Sequence, residues 1–256
     1  MTQTERRIYL INTLLAENGG YKSCNPEILS VTEQKKLLRS LMNIRMPAPL
    51  EDEFVVIQDE YLKQEINEKG ITDINSLTPV EKDIYLWQGD ITTLKCDAIV
   101  NAANSQMLGC FQPLHNCIDN CIHTYSGLAL RNACYQLMQK QGFEEPTGQA
   151  KITGAFNLPC KYVIHTVGPI VNEELTDKHR ELLKSCYISC LKLSEENGLK
   201  SIAFCCISTG VFGFPKKEAA NIAVDTVRDY KQHSDIKVVF NVFEDKDRYI
   251  YENILK

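Results

Sequence analysis

The segment from Gly109 to His123 reads Gly-Cys-Phe-Gln-Pro-Leu-His-Asn-Cys-Ile-Asp-Asn-Cys-Ile-His and carries the densest chemistry in the chain. It crowds Cys110, His115, Cys117, Asp119, Cys121 and His123 into a few turns of sequence. Thiolates and imidazoles are the donors zinc takes, and three of them leave a fourth position open, as a catalytic site needs. Spacing alone leaves two readings open, because it matches no common zinc-finger pattern. One is a metal site. The other is a set of buried thiols with one satisfied histidine. Pro113 stiffens the loop, and Asp119, two residues past Cys117, falls near the start of a helical pattern, where a carboxylate is stabilised as an anion.

Three further segments are placed for ligand contact. Asn101-Ala-Ala-Asn104 leaves the apolar run Ala98-Ile-Val100. Its alanines allow close backbone approach, and its amides both donate and accept, which suits hydroxyl-rich ligands; equally, they can satisfy turn amides. Gly89-Asp-Ile-Thr92 follows another strand-like run, so Asp90 is either an acceptor for an exocyclic amine or ribose hydroxyl, or a turn cap. Ser208-Thr-Gly-Val-Phe-Gly-Phe-Pro215 joins a strand pattern to a helix pattern. Successive amides at such a turn can cradle a phosphate pair, and Phe212 can stack on a ribose or base. The absence of lysine excludes a Walker loop. His165 lies in a strand pattern and reads as a core histidine with a hydrogen-bond partner, while Cys205-Cys206 read as small buried apolar residues.

The elements that must position these residues alternate from Ile84 onward. Strands are expected at Ile84–Trp87, Ala98–Val100, Ala150–Ile152, Tyr162–Thr166, Ser201–Ile207 and Val238–Val242. Helices are expected over Cys117–Gln141, Leu182–Asn197, Lys216–Tyr230 and Asp247–Leu255. Such alternation implies an α/β fold with a mixed sheet covered on both faces, and ligands bound beyond the carboxyl ends of its strands. Residues 1–80 read differently. A helical period over Thr4–Asn18 stops at Gly19-Gly20, a capping box at Ser30–Glu33 opens a second helix ended by Pro47 and Pro49, and Glu51–Lys69 forms a third, closed by Gly70. The expected organisation is a helical N-terminal extension over 1–80, packed on a core domain over 81–256.

A chain of 256 residues with 44% hydrophobic and 24% charged residues is an ordinary globular protein. The net charge of -5 gives no field favouring nucleic acid. No apolar run reaches the length of a membrane span, and Met-Thr-Gln-Thr-Glu-Arg-Arg opens no signal peptide, so the cytoplasm is expected. Eleven cysteines, an odd number, then read as thiols, metal ligands or reactive groups rather than disulfides.

Taken in order, Gly89–Thr92, Asn101–Asn104, Asp119–His123 with Ser126-Gly127, Val163–Pro169 and Ser208–Pro215 together resemble a macrodomain, the ADP-ribose-binding fold, over roughly residues 83 to 256. The pattern is most similar to the zinc-containing macrodomains of bacteria and fungi that hydrolyse protein-linked ADP-ribose and carry a helical N-terminal extension. That resemblance implies removal of mono-ADP-ribose from modified protein side chains. It implies Asp90 with Ile91 at the adenine, Ser208, Thr209, Gly210, Val211 and Phe212 at the diphosphate, and Asn104 at the distal ribose. Asp119 takes the place of the catalytic aspartate, with Asn104 assisting and Cys117 and Ile118 lining the ligand. Metal-free relatives have a run of glycines where this chain has Gly109–Cys117, and in the zinc-containing group the Zn2+ ligands resemble Cys110, His115 and Cys117. The implied partner is a mono-ADP-ribosylated protein modified by a sirtuin-type transferase, with a lipoylated carrier protein as one target of that kind. Two rivals remain at this point. A reader module would bind ADP-ribose without cleaving it and would need neither metal nor carboxylate in the loop. A purely structural zinc protein would not need the diphosphate-type turn.

Overall fold

The computed structural model describes residues 1–17 and 24–256. Three helices come first: α1 (Gln3–Glu17), α2 (Val31–Ile44) and α3 (Asp52–Lys69). The capping box at α2 forms as expected, with Ser30 and Glu33 bonding each other's backbone amides. Gly70 closes α3 with a positive φ. The Gly19-Gly20 stop expected after α1 lies outside the described residues. The three helices bury a cluster of their own, including Leu10, Leu14, Leu38, Phe54 and Leu62, which also takes in Leu128 from the core domain.

The remainder runs β1 (Thr72–Asp73), β2 (Ile84–Gln88), β3 (Leu94–Lys95), β4 (Ala98–Ala103), α4 (Ile118–Ser126), α5 (Leu128–Gln141), β5 (Ala150–Gly154), β6 (Tyr162–Val167), α6 (Asp177–Glu196), β7 (Ser201–Phe204), α7 (Lys216–Lys231), β8 (Lys237–Val242) and α8 (Asp245–Ile254). Six strands form one sheet in the order β2-β8-β7-β4-β6-β5. Every neighbouring pair is parallel except β5 with β6, so the sheet is mixed, as expected. Central strands such as β7, buried at every residue, show the continuous apolar pattern of a strand covered on both faces. β1 and β3, too short to show a period, make a separate parallel pair.

Three departures from the sequence expectation matter for the site. Strand β4 runs on through Asn101 to Ala103, because Asn101 pairs in register with His165 inside the sheet. The helical pattern over Cys117–Gln141 is two helices, broken where Gly127 takes φ 93°. Strand β7 ends at Phe204, so Cys205–Ile207 already belong to the turn that leads into Ser208.

Candidate active site

Parallel strands end on one side of a sheet, and three of the segments singled out by sequence leave that side. Asp90 follows β2, Asn104 follows β4, and Ser208 lies four residues beyond the end of β7. Asp119 reaches the same place from the first turn of α4. Asp119 does not cap this helix: the cap is Cys117, whose Sγ accepts from the Asn120 amide at 3.4 Å. The Asp119 carboxylate is instead turned to the sheet. Its Oδ1 accepts from Asn101 Nδ2 at 2.8 Å, and its Oδ2 from Asn104 Nδ2 at 3.4 Å.

This carboxyl is only 6% exposed. Burial pushes its pKa up to about 6, against the opposing pull of the Asn101 bond and the Arg131 charge. The helix N-terminus therefore does not dominate as sequence suggested; desolvation does. A carboxylate poised near 6 is matched to proton transfer at neutral pH. Asn101 also donates to His165 Nδ1 at 3.2 Å, which leaves His165 Nε2 to donate to Thr153 Oγ1 at 2.9 Å. His165 is thus a core histidine with its partners, as expected, and burial lowers its pKa to about 3. His123 sits below Asp119, 4% exposed, with neither ring nitrogen hydrogen-bonded among the described residues. Its Nε2 is 3.6 Å from Asp119 Oδ1, and burial keeps the ring neutral, so the two make no ion pair.

Of the six residues in the Cys–His segment, the fold brings Cys110, His115 and Cys117 together. Their donor atoms all lie within 4.8 Å of one another, with Cys110 Sγ 3.5 Å from His115 Nδ1. Ligands on a tetrahedral zinc stand about 3.5–3.8 Å apart, from bond lengths near 2.0 and 2.3 Å, so the trio fits the ion with small adjustment. Burial, then the neighbouring Cys110 thiol and Asp119, push the Cys117 pKa up to about 12 although the Asn120 amide opposes them. A divalent cation reverses that balance and deprotonates such a thiol outright. Cys121 is not in this trio; its Sγ lies 3.7 Å from Arg39. His123 falls in a second trio with Cys134 and His165, wholly buried, where the His165 nitrogens are already taken by Asn101 and Thr153.

At the other end, Asp90 caps a 3-10 turn through Thr92 and also receives Lys69 Nζ on Oδ2 at 2.8 Å. Burial opposes its charge, but the Lys69 and Thr92 bonds outweigh it and hold the carboxyl below the usual range. Lys69, the last residue of α3, simultaneously lies 3.3 Å over the Tyr125 ring of α4. The Ser208 turn folds back on itself, with Phe214 N donating to Ser208 O at 2.9 Å. Ser208 adopts φ 64°, and its Oγ is buried with no partner among the described residues. A Cβ at Gly168 would fall 2.0 Å from that oxygen, so only glycine permits the approach. Ile91 is buried, Thr209 and Phe212 half-buried, and Gly210 and Val211 exposed.

Comparison with known proteins decides the family. The Macro domain profile matches residues 100–223, from Asn101 through the Cys–His loop and the Ser208 turn into α7. A protein-ADP-ribose hydrolase of Treponema medium is 58% identical over 262 residues, covering all of both chains. The chain belongs to the macrodomain family. A Staphylococcus aureus protein-ADP-ribose hydrolase is 52% identical over 95% of this chain and 92% of its own. Among solved structures, the Trypanosoma brucei macrodomain in complex with ADP-ribose is 29% identical, with a TM-score of 0.66 over 89% of this chain and 96% of that one. The Oceanobacillus iheyensis macrodomain with ADP is 39% identical, with a TM-score of 0.63 over 70% and 93%.

In this macrodomain, sequence reasoning missed the groups that hold the site from behind. Lys69 and Arg39 sit in helices with no chemical signature of their own. Arg131, 3% exposed, donates from α5 to Leu108 O at 2.8 Å and to the carbonyls of Met42 and Arg45, and it lies under the Phe111 ring. An arginine in an amphipathic helix pattern reads as surface. Only its destination shows otherwise.

Proposed function

We propose that this macrodomain hydrolyses the bond between the distal ribose C1″ of protein-linked ADP-ribose and its acceptor side chain, with zinc held by Cys110, His115 and Cys117. The carrying observation is the buried Asp119 carboxylate, braced by Asn101 and two residues from one of three converging metal donors. Support comes from relatives at 51–58% identity named protein-ADP-ribose hydrolase.

Asp90 accepts the adenine amine, and Ile91 packs beside it. Backbone amides of Ser208 to Phe212 hold the diphosphate, and Asn104 orients the distal ribose, with Cys117 and Ile118 along the same wall. Asp119 takes a proton from the attacking water. The water oxygen bonds to C1″, the C1″–acceptor bond breaks, and the acceptor leaves with a proton as unmodified side chain. A bound zinc supplies Lewis acidity at this position, lowering the pKa of a water or gripping a ribose hydroxyl. The partner we propose is a mono-ADP-ribosylated protein of the kind a sirtuin-type transferase modifies, a lipoylated carrier protein being one such target. We place the chain in the cytoplasm, where its eleven unpaired cysteines are at home. Among the described residues no helix is long and apolar enough to cross a membrane.

The test is incubation of the purified protein with a mono-ADP-ribosylated protein, with and without chelator, beside elemental analysis of wild type and Cys117→Ala. ADP-ribose release should require about one zinc per chain and return when zinc is restored. A metal-free wild type at full rate removes the zinc; binding without release makes the chain a reader.

A further inference from the structure

We infer that Arg39 and Asn43, two residues of the N-terminal helix α2, form a latch that positions the metal-ligand loop. The inference rests on the metal reading above. Between β4 and α4 the backbone has no regular secondary structure to fix it. Three positions inside the segment, Met107 at φ 58°, Gly109 at φ 81° and Leu114 at φ 59°, lie in the left-handed region. For a branched residue such as Leu114 that conformation costs on the order of 1–3 kcal/mol and persists only where the surroundings enforce it.

The enforcement comes from α2. Asn43, 1% exposed, accepts from the Leu114 amide at 3.0 Å and donates to Thr124 Oγ1 in α4 at 3.0 Å. One turn earlier, Arg39 places a single nitrogen, Nη2, on His115 O at 2.7 Å and Asn120 Oδ1 at 3.0 Å. Asn120 in turn donates to Cys110 O at 3.2 Å and Gln112 O at 3.0 Å. The Arg39–Asn120 pair therefore grips the backbone of two of the three ligand residues, Cys110 and His115. The third, Cys117, receives the Asn120 amide on its sulfur. All three residues are tied to one knot, Cys110 and His115 by their carbonyls and Cys117 by its sulfur, and the outer strand of that knot belongs to the extension. Partners of this rank behind a metal ligand set its orientation, and their loss costs roughly 10–100-fold in metal affinity. Arg39 and Asn43 touch no reacting atom; they are positioning residues.

The measurement is zinc affinity of the full chain by chelator competition, for wild type, Arg39→Met, Arg39→Lys and Asn43→Ala, with amide exchange followed across 109–117. Arg39→Met should bind zinc roughly 10–100-fold more weakly and exchange faster in that segment. Its affinity for free ADP-ribose should stay unchanged. Because one nitrogen makes both oxygen contacts, the ammonium of Arg39→Lys should recover most of the loss. A folded Arg39→Met with wild-type zinc affinity overturns the latch. If Arg39→Met does not fold, Asn43→Ala decides in the same way. Should the wild type take no zinc, the metal reading fails by itself. Exchange then judges the latch alone: faster exchange over 109–117 in either variant sustains it, and unchanged exchange ends it.

Discussion

Asp119 is held where a carboxylate is least comfortable, and this sets a trade between stability and activity. Its pKa in the folded chain, about 6, lies above its ordinary value of 3.8. The folded state therefore keeps a proton that the unfolded state releases, and stability falls as pH rises between those values, then levels off. Asp119→Asn removes the penalty while preserving an acceptor for Asn101. In chelator, the variant should be more stable than wild type above about pH 6, by on the order of 1–3 kcal/mol, and equal to it near pH 4. Its turnover should fall roughly 10²-fold or more, and wild-type turnover should decline as pH drops through about 6. Thermal melts and single-turnover release of ADP-ribose across pH check both; a variant no more stable at neutral pH contradicts the buried-acid account. At the far end, Asp90→Ala leaves the adenine amine unpaired, and calorimetry should show ADP-ribose binding weakened by about 1–3 kcal/mol. The positions of Asp90, Asn104 and Asp119 at strand ends or a helix start were legible in sequence, while the roles proposed for them came only with the macrodomain resemblance. Asn101's grip on Asp119 was not, since it depends on β4 extending three residues further and lying in register with His165.

At the scale of elements, local rules worked where they were local. The capping box of α2, the glycine end of α3 and the parallel strands were all readable from spacing. The break at Gly127 was not, because the apolar period carries on through it from α4 into α5 and a single glycine is tolerated in such a pattern. The Cys–His loop stood out in composition but not in shape, for its conformation is imposed by side chains from α2 and α5. Gly109 shows how tight that imposed shape is. It takes φ 81°, and a Cβ there would lie 2.8 Å from the His123 ring. Gly109→Ala should lower stability by about 1–3 kcal/mol and loosen the loop, read by melting temperature and by zinc retained through gel filtration. Retention and melting equal to wild type would show that the loop can yield at this point.

At the scale of the molecule, the boundary near residue 80, drawn where a helical pattern gives way to alternating strands and helices, is crossed by direct hydrogen bonds. Arg131 reaches from α5 to carbonyls at the end of α2, Leu128 N donates to Gln58 of α3 at 3.1 Å, and Lys69 spans from α3 to Asp90. A chain cut to residues 81–256 should melt well below the full chain, lose zinc and release no ADP-ribose. Calorimetry with metal analysis checks this, and a truncated chain of wild-type activity would make the helices an accessory. Sequence could not show these ties, since each joins residues far apart in the chain. The order of strands carries a last consequence. Across the sheet, Asp90, the Ser208 turn and Asn104 stand behind β2, β7 and β4, in that spatial order, with β8 between the first two. That is also the order of base, diphosphate and distal sugar in ADP-ribose. From β2 to β4 is three strand spacings, about 14 Å, so on the proposed site assignment the sheet is a ruler laid beneath a linear molecule. On that assignment a nucleotide that stops at the diphosphate should occupy two marks without meeting Asn104. One lengthened by a further phosphate should overshoot the third mark, its sugar beyond the reach of Asp119.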